Sequence, residues 1–233
     1  MHMPSYLDLL AQLGVGGAHP GGFLLTKEII EREMVSESAV ILDVGCGTGQ
    51  TLQFLRSMNY DATGFDCDPT MLLKAKKRLN DDTCLIHGTA EKLPFKDSQF
   101  DLILCESVLS FTHSQQSLYE MHRVLKDHGV LLAIEVTRID HPADEIQKKI
   151  QSFYGFRNLL TEYEWKSAFY QAGFKKTDIF TEEDYDIEDD EPTTEFDMSD
   201  DLDPIYFEML AKHEELREAY QQTVQFRIFR GVK

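Results

Sequence analysis

Two spacings of apolar residues alternate along this chain. Short continuous runs, such as Ala39-Val40-Ile41-Leu42 and Val130-Leu131-Leu132-Ala133-Ile134, read as buried strands. Between them lie longer stretches with an apolar residue every three or four positions, the mark of amphipathic helices. The runs predict strands at 39–44, 62–66, 84–87, 102–105, 130–136, 175–180 and 223–229. The periodic stretches predict helices at 4–13, 25–34, 48–58, 115–125, 143–153, 161–172 and 204–220. One more helix opens at Pro69, where the fixed φ of proline suits the first turn. Segment 14–22 is too rich in glycine for either regular element. Strands alternating with helices imply a parallel sheet covered on both faces, an α/β doubly wound fold.

Residues 41–50 carry the most specific chemistry. Ile41-Leu42-Asp43-Val44 is a strand that runs into Gly45-Cys46-Gly47-Thr48-Gly49-Gln50, a glycine turn with a helix starting near Thr48. Glycine lets a backbone approach a ligand closely, and a helix start offers unpaired N–H groups. Asp66 closes the next apolar run, about twenty positions on, where a carboxylate can accept both hydroxyls of a ribose. Glycine spacing then separates two cofactors. A nicotinamide site wants G-x-G-x-x-G, and its third place is Gln50; Gly49 completes G-x-G-x-G instead.

That pattern resembles motif I of the class I S-adenosylmethionine-dependent methyltransferases. Gly88-Thr89-Ala90-Glu91-Lys92-Leu93-Pro94-Phe95, Phe100-Asp101-Leu102-Ile103 and Arg123-Val124-Leu125-Lys126 with Gly129 resemble successive blocks of the same superfamily. They are most similar to its small-molecule branch, which includes the ubiquinone/menaquinone-biosynthesis methyltransferases. The resemblance covers residues 36–137 in order, with a fainter continuation at Leu160-Thr161-Glu162, Glu164-Trp165 and Ala172-Gly173-Phe174.

The resemblance implies a Rossmann-like, seven-stranded sheet, mostly parallel, whose last strand inserts antiparallel beside the strand at 130–136, under an N-terminal helical cap. It implies S-adenosyl-L-methionine as cofactor. Asp43, Gly45, Cys46 and Gly47 are then expected at its amino-acid end. Asp66, with Cys67 beside it, belongs at the ribose. Met71 would cover one adenine face, unless it is an ordinary core methionine. Thr89, Ala90 and Glu91 would line the adenine edge, although the family often has Asp where Thr89 stands. Cys105 and Glu106 fall where the methionine portion and the transferred methyl meet. His19-Pro20-Gly21-Gly22, with Thr26, would fold across the cofactor carboxylate or simply connect two helices. Methyl transfer by in-line displacement needs a general base only if the acceptor loses a proton. His113, Glu106 and His19 are the candidates. The Asn/Asp-Pro-Pro-Tyr/Phe signature of adenine and glutamine N-methyltransferases is replaced by Glu106-Ser107-Val108-Leu109. Tyr154, Phe156 and Trp165 read as an aromatic wall for an apolar acceptor or as core packing.

Composition narrows the setting. A chain of 233 residues suits one α/β domain with additions. The expected division is a cap and glycine loop at 3–35, a cofactor-binding core at 36–181, an acidic insert with a helix at 182–221, and a final core strand at 222–233. Met1-His2 reads as a cloning scar ahead of a native start at Met3. No apolar run approaches the ~20 residues of a membrane span, and no signal-peptide pattern opens the chain, so a cytoplasmic protein without a membrane partner is expected. The net charge of −18 argues against nucleic acid. Much of it lies in 182–203, which has no Lys or Arg; that run reads as a solvated loop, or as a field that repels anionic and attracts cationic acceptors. The four cysteines, Cys46, Cys67, Cys84 and Cys105, lack C-x-x-C spacing, so no metal site is expected. A small-molecule acceptor and a monomer or homodimer complete the reading. The alternatives are a nicotinamide oxidoreductase and an S-adenosylmethionine-binding sensor or partner subunit. The His19 loop and the acidic run are both expected to act as lids.

Overall fold

The computed structural model describes residues 4–80, 85–139, 144–185 and 195–233. In chain order its elements are α1 (Tyr6–Leu13), β1 (Val15–Gly16), α2 (Gly22–Glu33), β2 (Val40–Val44), α3 (Gln50–Ser57), β3 (Asp61–Asp66), α4 (Pro69–Leu79) and β4 (Leu85–His87). There follow β5 (Phe100–Glu106), α5 (Ser114–Val124), β6 (Leu125–Arg138), α6 (Asp144–Tyr154), α7 (Glu162–Ala172), β7 (Lys176–Phe180), β8 (Glu195–Phe196), α8 (Ile205–Tyr220) and β9 (Val224–Val232). The predicted starts at Cys84 and Ala143 fall outside the described residues.

Local chemistry explains where helices begin and end. Ser5 and Asp8 form a reciprocal capping box on α1, which stops at Gly14 in the left-handed region. Asp68 caps α4 by accepting from the N–H groups of Thr70 at 2.7 Å and Met71 at 3.0 Å, with Pro69 in the first turn. Thr161 and Glu164 cap α7 in the same reciprocal way. The helix expected from Thr48 starts at Gln50 instead, because Gly49 before it is left-handed at φ 79° and prolongs the turn.

The main sheet has seven strands in the order β4-β3-β2-β5-β6-β9-β7. The first five are mutually parallel. β9 runs antiparallel between β6 and β7, as the resemblance implied. Side chains alternate between two cores, as the two-residue period of a strand requires. Leu42, Val44, Ile103, Cys105, Leu131 and Ala133 join the layer under α5 and α7, whereas Ile41, Leu102, Leu104 and Leu132 join that under α2, α3 and α4. Trp165 is fully buried in the first layer and donates to the Val136 carbonyl at 3.2 Å. It is core packing, not an aromatic wall; α7 turns its apolar face, with Phe169, onto the sheet.

The glycine loop and the acidic insert meet. β1 pairs antiparallel with β8, Val15 opposite Phe196 and Gly16 opposite Glu195. The Asp197 and Ser199 N–H groups donate to the carbonyls of Gly14 at 3.1 Å and Gln12 at 2.9 Å. α4 supplies the countercharge: Arg78 pairs with Glu195 at 2.6 Å, Lys77 with Asp197 at 3.5 Å, and the Lys74 ammonium donates to the Asp197 carbonyl. A purely solvated loop is therefore not what residues 195–199 form. Among the described residues no helix is long and apolar enough to cross a membrane, and no group of three or more His, Cys, Asp or Glu could hold a metal.

If the ribbon of β1 and β8 opens as one unit, Glu195→Gln should raise hydrogen exchange at 14–17 and 195–199 together, by about threefold, since partly exposed ion pairs contribute under ~1 kcal/mol. A rise confined to 195–199 would separate the two strands.

Candidate active site

The carboxyl ends of β2, β3 and β5 converge on the glycine turn. Gly45 and Cys46 donate their N–H groups to the Phe65 carbonyl at 2.7 and 3.1 Å, which ties the turn to β3. Gly45 stands at φ 78°, and a Cβ there would lie 2.2 Å from Val108 Cγ2. Gly47, at φ 53°, differs: a Cβ on it would meet nothing within 4 Å, so this stretch of backbone borders open space. Its N–H donates to Asp66 Oδ2 at 2.9 Å.

Asp43 lies on β2 just before the turn, and Asp66 closes β3. Asp43 is only 2% exposed, and among the described residues its Oδ2 has no hydrogen-bond partner. Burial, then the charges of Glu106 and Asp66, push its carboxyl well above the usual range. A buried acceptor without a partner, two residues before the glycine turn, is the fit expected for an ammonium group. Asp66 Oδ1 accepts from the Asp68 N–H at 2.8 Å; burial raises its carboxyl and outweighs the backbone N–H groups of Asp68, Gly47 and Cys67, while each oxygen keeps acceptor capacity for a hydroxyl. Met71 is buried in the first turn of α4.

The remaining candidates divide between side chain and backbone. Cys46 and Cys105 are buried and pack into the cores, and Ala90 does the same, so only their main-chain groups are left for a ligand. Cys67 follows Asp66 as a free cysteine exposed as a residue; partial burial of its thiol, and then the charges of Asp66 and Asp68, push it up to about 11. Thr89 is exposed; its hydroxyl bonds Glu91, whose carboxylate also accepts from the His113 N–H at 3.0 Å.

Two of the three general-base candidates come together. Thr26 donates to Glu106 Oε1 at 2.6 Å, and Thr51 to Oε2 at 3.3 Å. His19 Nε2 lies 3.0 Å from the Thr26 hydroxyl and 3.7 Å from Glu106 Oε2, with the two side chains 4% and 12% exposed. His113 stands apart at the start of α5, its Nε2 3.3 Å from Arg157. Sequence reasoning missed Thr51, and also Glu135 behind β5. An acid inside the apolar run 130–136 was the available signal for Glu135.

Comparison with known proteins bears on the family. Residues 42–133 match a methyltransferase domain family. An uncharacterized methyltransferase of Bacillus subtilis, YodH, is 41% identical over 99% of this chain and 100% of its own length. The ubiquinone/menaquinone biosynthesis C-methyltransferase of Blochmanniella pennsylvanica is 31% identical over 66% of this chain and 62% of its own. The fold matches phosphoethanolamine N-methyltransferase 2 of Haemonchus contortus, solved with S-adenosyl-L-methionine, at a TM-score of 0.77 and 16% identity, covering 97% of this chain and 57% of that one. The chain belongs to the class I S-adenosylmethionine-dependent methyltransferases. It is an enzyme of methyl transfer whose cofactor is S-adenosylmethionine.

Buried acids make ligand-free stability depend on pH. Burial pushes Glu135 from 4.5 to about 7. A carboxyl raised on folding binds its proton more tightly in the native state, so its contribution is full below the unfolded value and lost as pH rises through the folded one. Denaturation of the ligand-free protein should show stability falling between about pH 4.5 and 7, with Glu135 supplying roughly 3 kcal/mol of the slope. Asp43 and Asp66, shifted the same way, add to it. Stability that rises across this window would contradict the assignment.

Proposed function

We propose that the acceptor is a small molecule carrying a proton on its nucleophilic atom, and that the chain removes this proton as the methyl is transferred in line. The observation that carries the reading is the Glu106 carboxylate, linked to Thr26, Thr51 and His19, at the end of β5 beside the glycine turn. When bound, S-adenosylmethionine supplies an electrophilic methyl on a sulfonium. In this reading Asp43 takes the ammonium and the main chain of Gly45, Cys46 and Gly47 lies along the amino-acid end. Asp66 accepts the ribose hydroxyls, with Cys67 beside it. Met71 covers adenine, and Thr89, Ala90 and Glu91 line its edge. Glu106 receives the acceptor proton, and Thr26 and His19 keep the carboxylate aimed.

Small-molecule specificity also draws support from the relatives: one is named for a C-methyltransferase of quinone biosynthesis, and a fold neighbour for phosphoethanolamine N-methylation. The net charge of −18 disfavours a nucleic-acid acceptor. The ribbon of β1 and β8 serves as one lid that excludes water. A cytoplasmic monomer or homodimer suits this role.

Methyl-labelled cofactor offered with a panel of small metabolites and with total RNA should label one class of metabolite. Glu106→Gln should slow that reaction by about a hundredfold, the usual worth of a general base, while S-adenosylhomocysteine still binds. Label appearing only in RNA, or an unaffected Glu106→Gln, would overturn the reading. Asp66→Ala should weaken S-adenosylhomocysteine binding by about 1.5–3 kcal/mol in calorimetry, the loss of charge-assisted hydrogen bonds. Gly47→Val should abolish it, because the branched side chain would fill the space beside the turn. Normal binding by either folded variant would misplace the site.

A further inference from the structure

Glu135 is a carboxylate inside the sheet that cofactor binding and methyl transfer leave unexplained. It lies on β6 with no exposed surface. One turn supplies it with four hydrogen bonds: the N–H groups of Val108 at 2.9 Å, Leu109 at 2.7 Å and Ser110 at 3.0 Å, and the Ser110 hydroxyl at 2.7 Å. Three successive N–H groups converging on one carboxylate leave the turn little freedom. Ser107, at its start, sits at φ 56°, a left-handed conformation that a non-glycine residue keeps only when its surroundings hold it there.

The same turn touches two other parts of the molecule. On one side Val108 fills the place where Gly45 lacks a side chain, 2.2 Å from where a Cβ would stand. On the other, the Ser110 carbonyl accepts from the N–H groups of Arg157 at 2.8 Å and Asn158 at 3.2 Å. The Asn158 side chain donates to the Thr112 carbonyl at 2.8 Å, and the Phe111 ring meets Phe156 edge-on with centroids 4.9 Å apart. Phe156 in turn stacks on Tyr154 at 5.0 Å, among rings from α1 and α6. A displacement at the glycine turn therefore has a continuous route to 156–158, by side-chain contact at Val108, hydrogen bonds at Ser110 and Thr112, and ring contact at Phe111.

We propose that Glu135 is a positioning residue: by holding the turn at 107–110 it seats Val108 against Gly45 and couples the amino-acid end of the cofactor site to the segment 155–158 and its aromatic rings. The proposal rests on reading Gly45 to Gly47 as that end. It makes the acceptor side of the molecule responsive to whether the cofactor's amino acid is in place.

The test uses the full chain with two probes, S-adenosylhomocysteine and adenosine, the second lacking the amino-acid end. Calorimetry gives affinities, and hydrogen exchange gives protection at 107–112 and 155–158. Wild type should bind both, and only S-adenosylhomocysteine should protect 155–158. Glu135→Gln cannot accept from all four donors. It should bind S-adenosylhomocysteine about tenfold more weakly, as expected for buried donors left unpaired, hold adenosine within about twofold, and lose the response at 155–158. Should that variant fail to fold, Val108→Ala, which leaves the bonds to Glu135 in place, should give the same pattern. Variants that bind S-adenosylhomocysteine like wild type, lose both probes equally, or still protect 155–158 would overturn the coupling. A wild type that binds neither probe would overturn the underlying reading, and the coupling with it.

Discussion

Three acidic side chains, Asp43, Asp66 and Glu106, meet at the carboxyl ends of adjacent strands, and the rest of the structure accommodates that crowding. Like charges out of water are costly unless something compensates them. Asp66 is met by two backbone N–H groups and Glu106 by two threonine hydroxyls. Asp43 keeps a buried oxygen without a partner. In the proposed placement the cofactor's cationic amino-acid end would supply the missing partner, and its binding would relieve this electrostatic stress. The parallel sheet is what creates the crowding, since strands that run the same way end together.

The outer parts hold this inner arrangement in place. Arg78 shows how: it donates to the Thr48 carbonyl of the glycine turn at 3.0 Å and pairs with Glu195 of the ribbon. One guanidinium therefore joins turn, helix and insert. Behind β5, Glu135 does the corresponding task from the other face of the sheet. Both groups sit outside the glycine turn and fix its neighbours rather than the ligand.

The sheet and its glycine turn were legible in the sequence because their signals are local. Apolar runs ending in Asp43 and Asp66 mark strand ends, and the spacing of Gly45, Gly47 and Gly49 distinguishes the cofactor. A continuous apolar run at 39–42, in a chain where strands alternate with helices, already implied a sheet covered on both faces, and Ile41 and Leu42 now fall in its two cores. What escaped was non-local. The two-residue strands of Val15 and Glu195 have no period of their own, so their pairing appears only in three dimensions. Trp165 shows the limit of composition: an aromatic near a predicted site looks like a wall until the helix face is known. His113 and Glu106 lie close in sequence, yet it is distant His19 that reaches Glu106.

A crystal structure with S-adenosylhomocysteine bound tests the central claim most directly. The account predicts the ligand's ammonium within hydrogen-bonding reach of Asp43, its backbone lying over Gly47, and both ribose hydroxyls on Asp66. A ligand bound elsewhere, or an Asp43 carboxylate still without a partner beside it, would contradict the account.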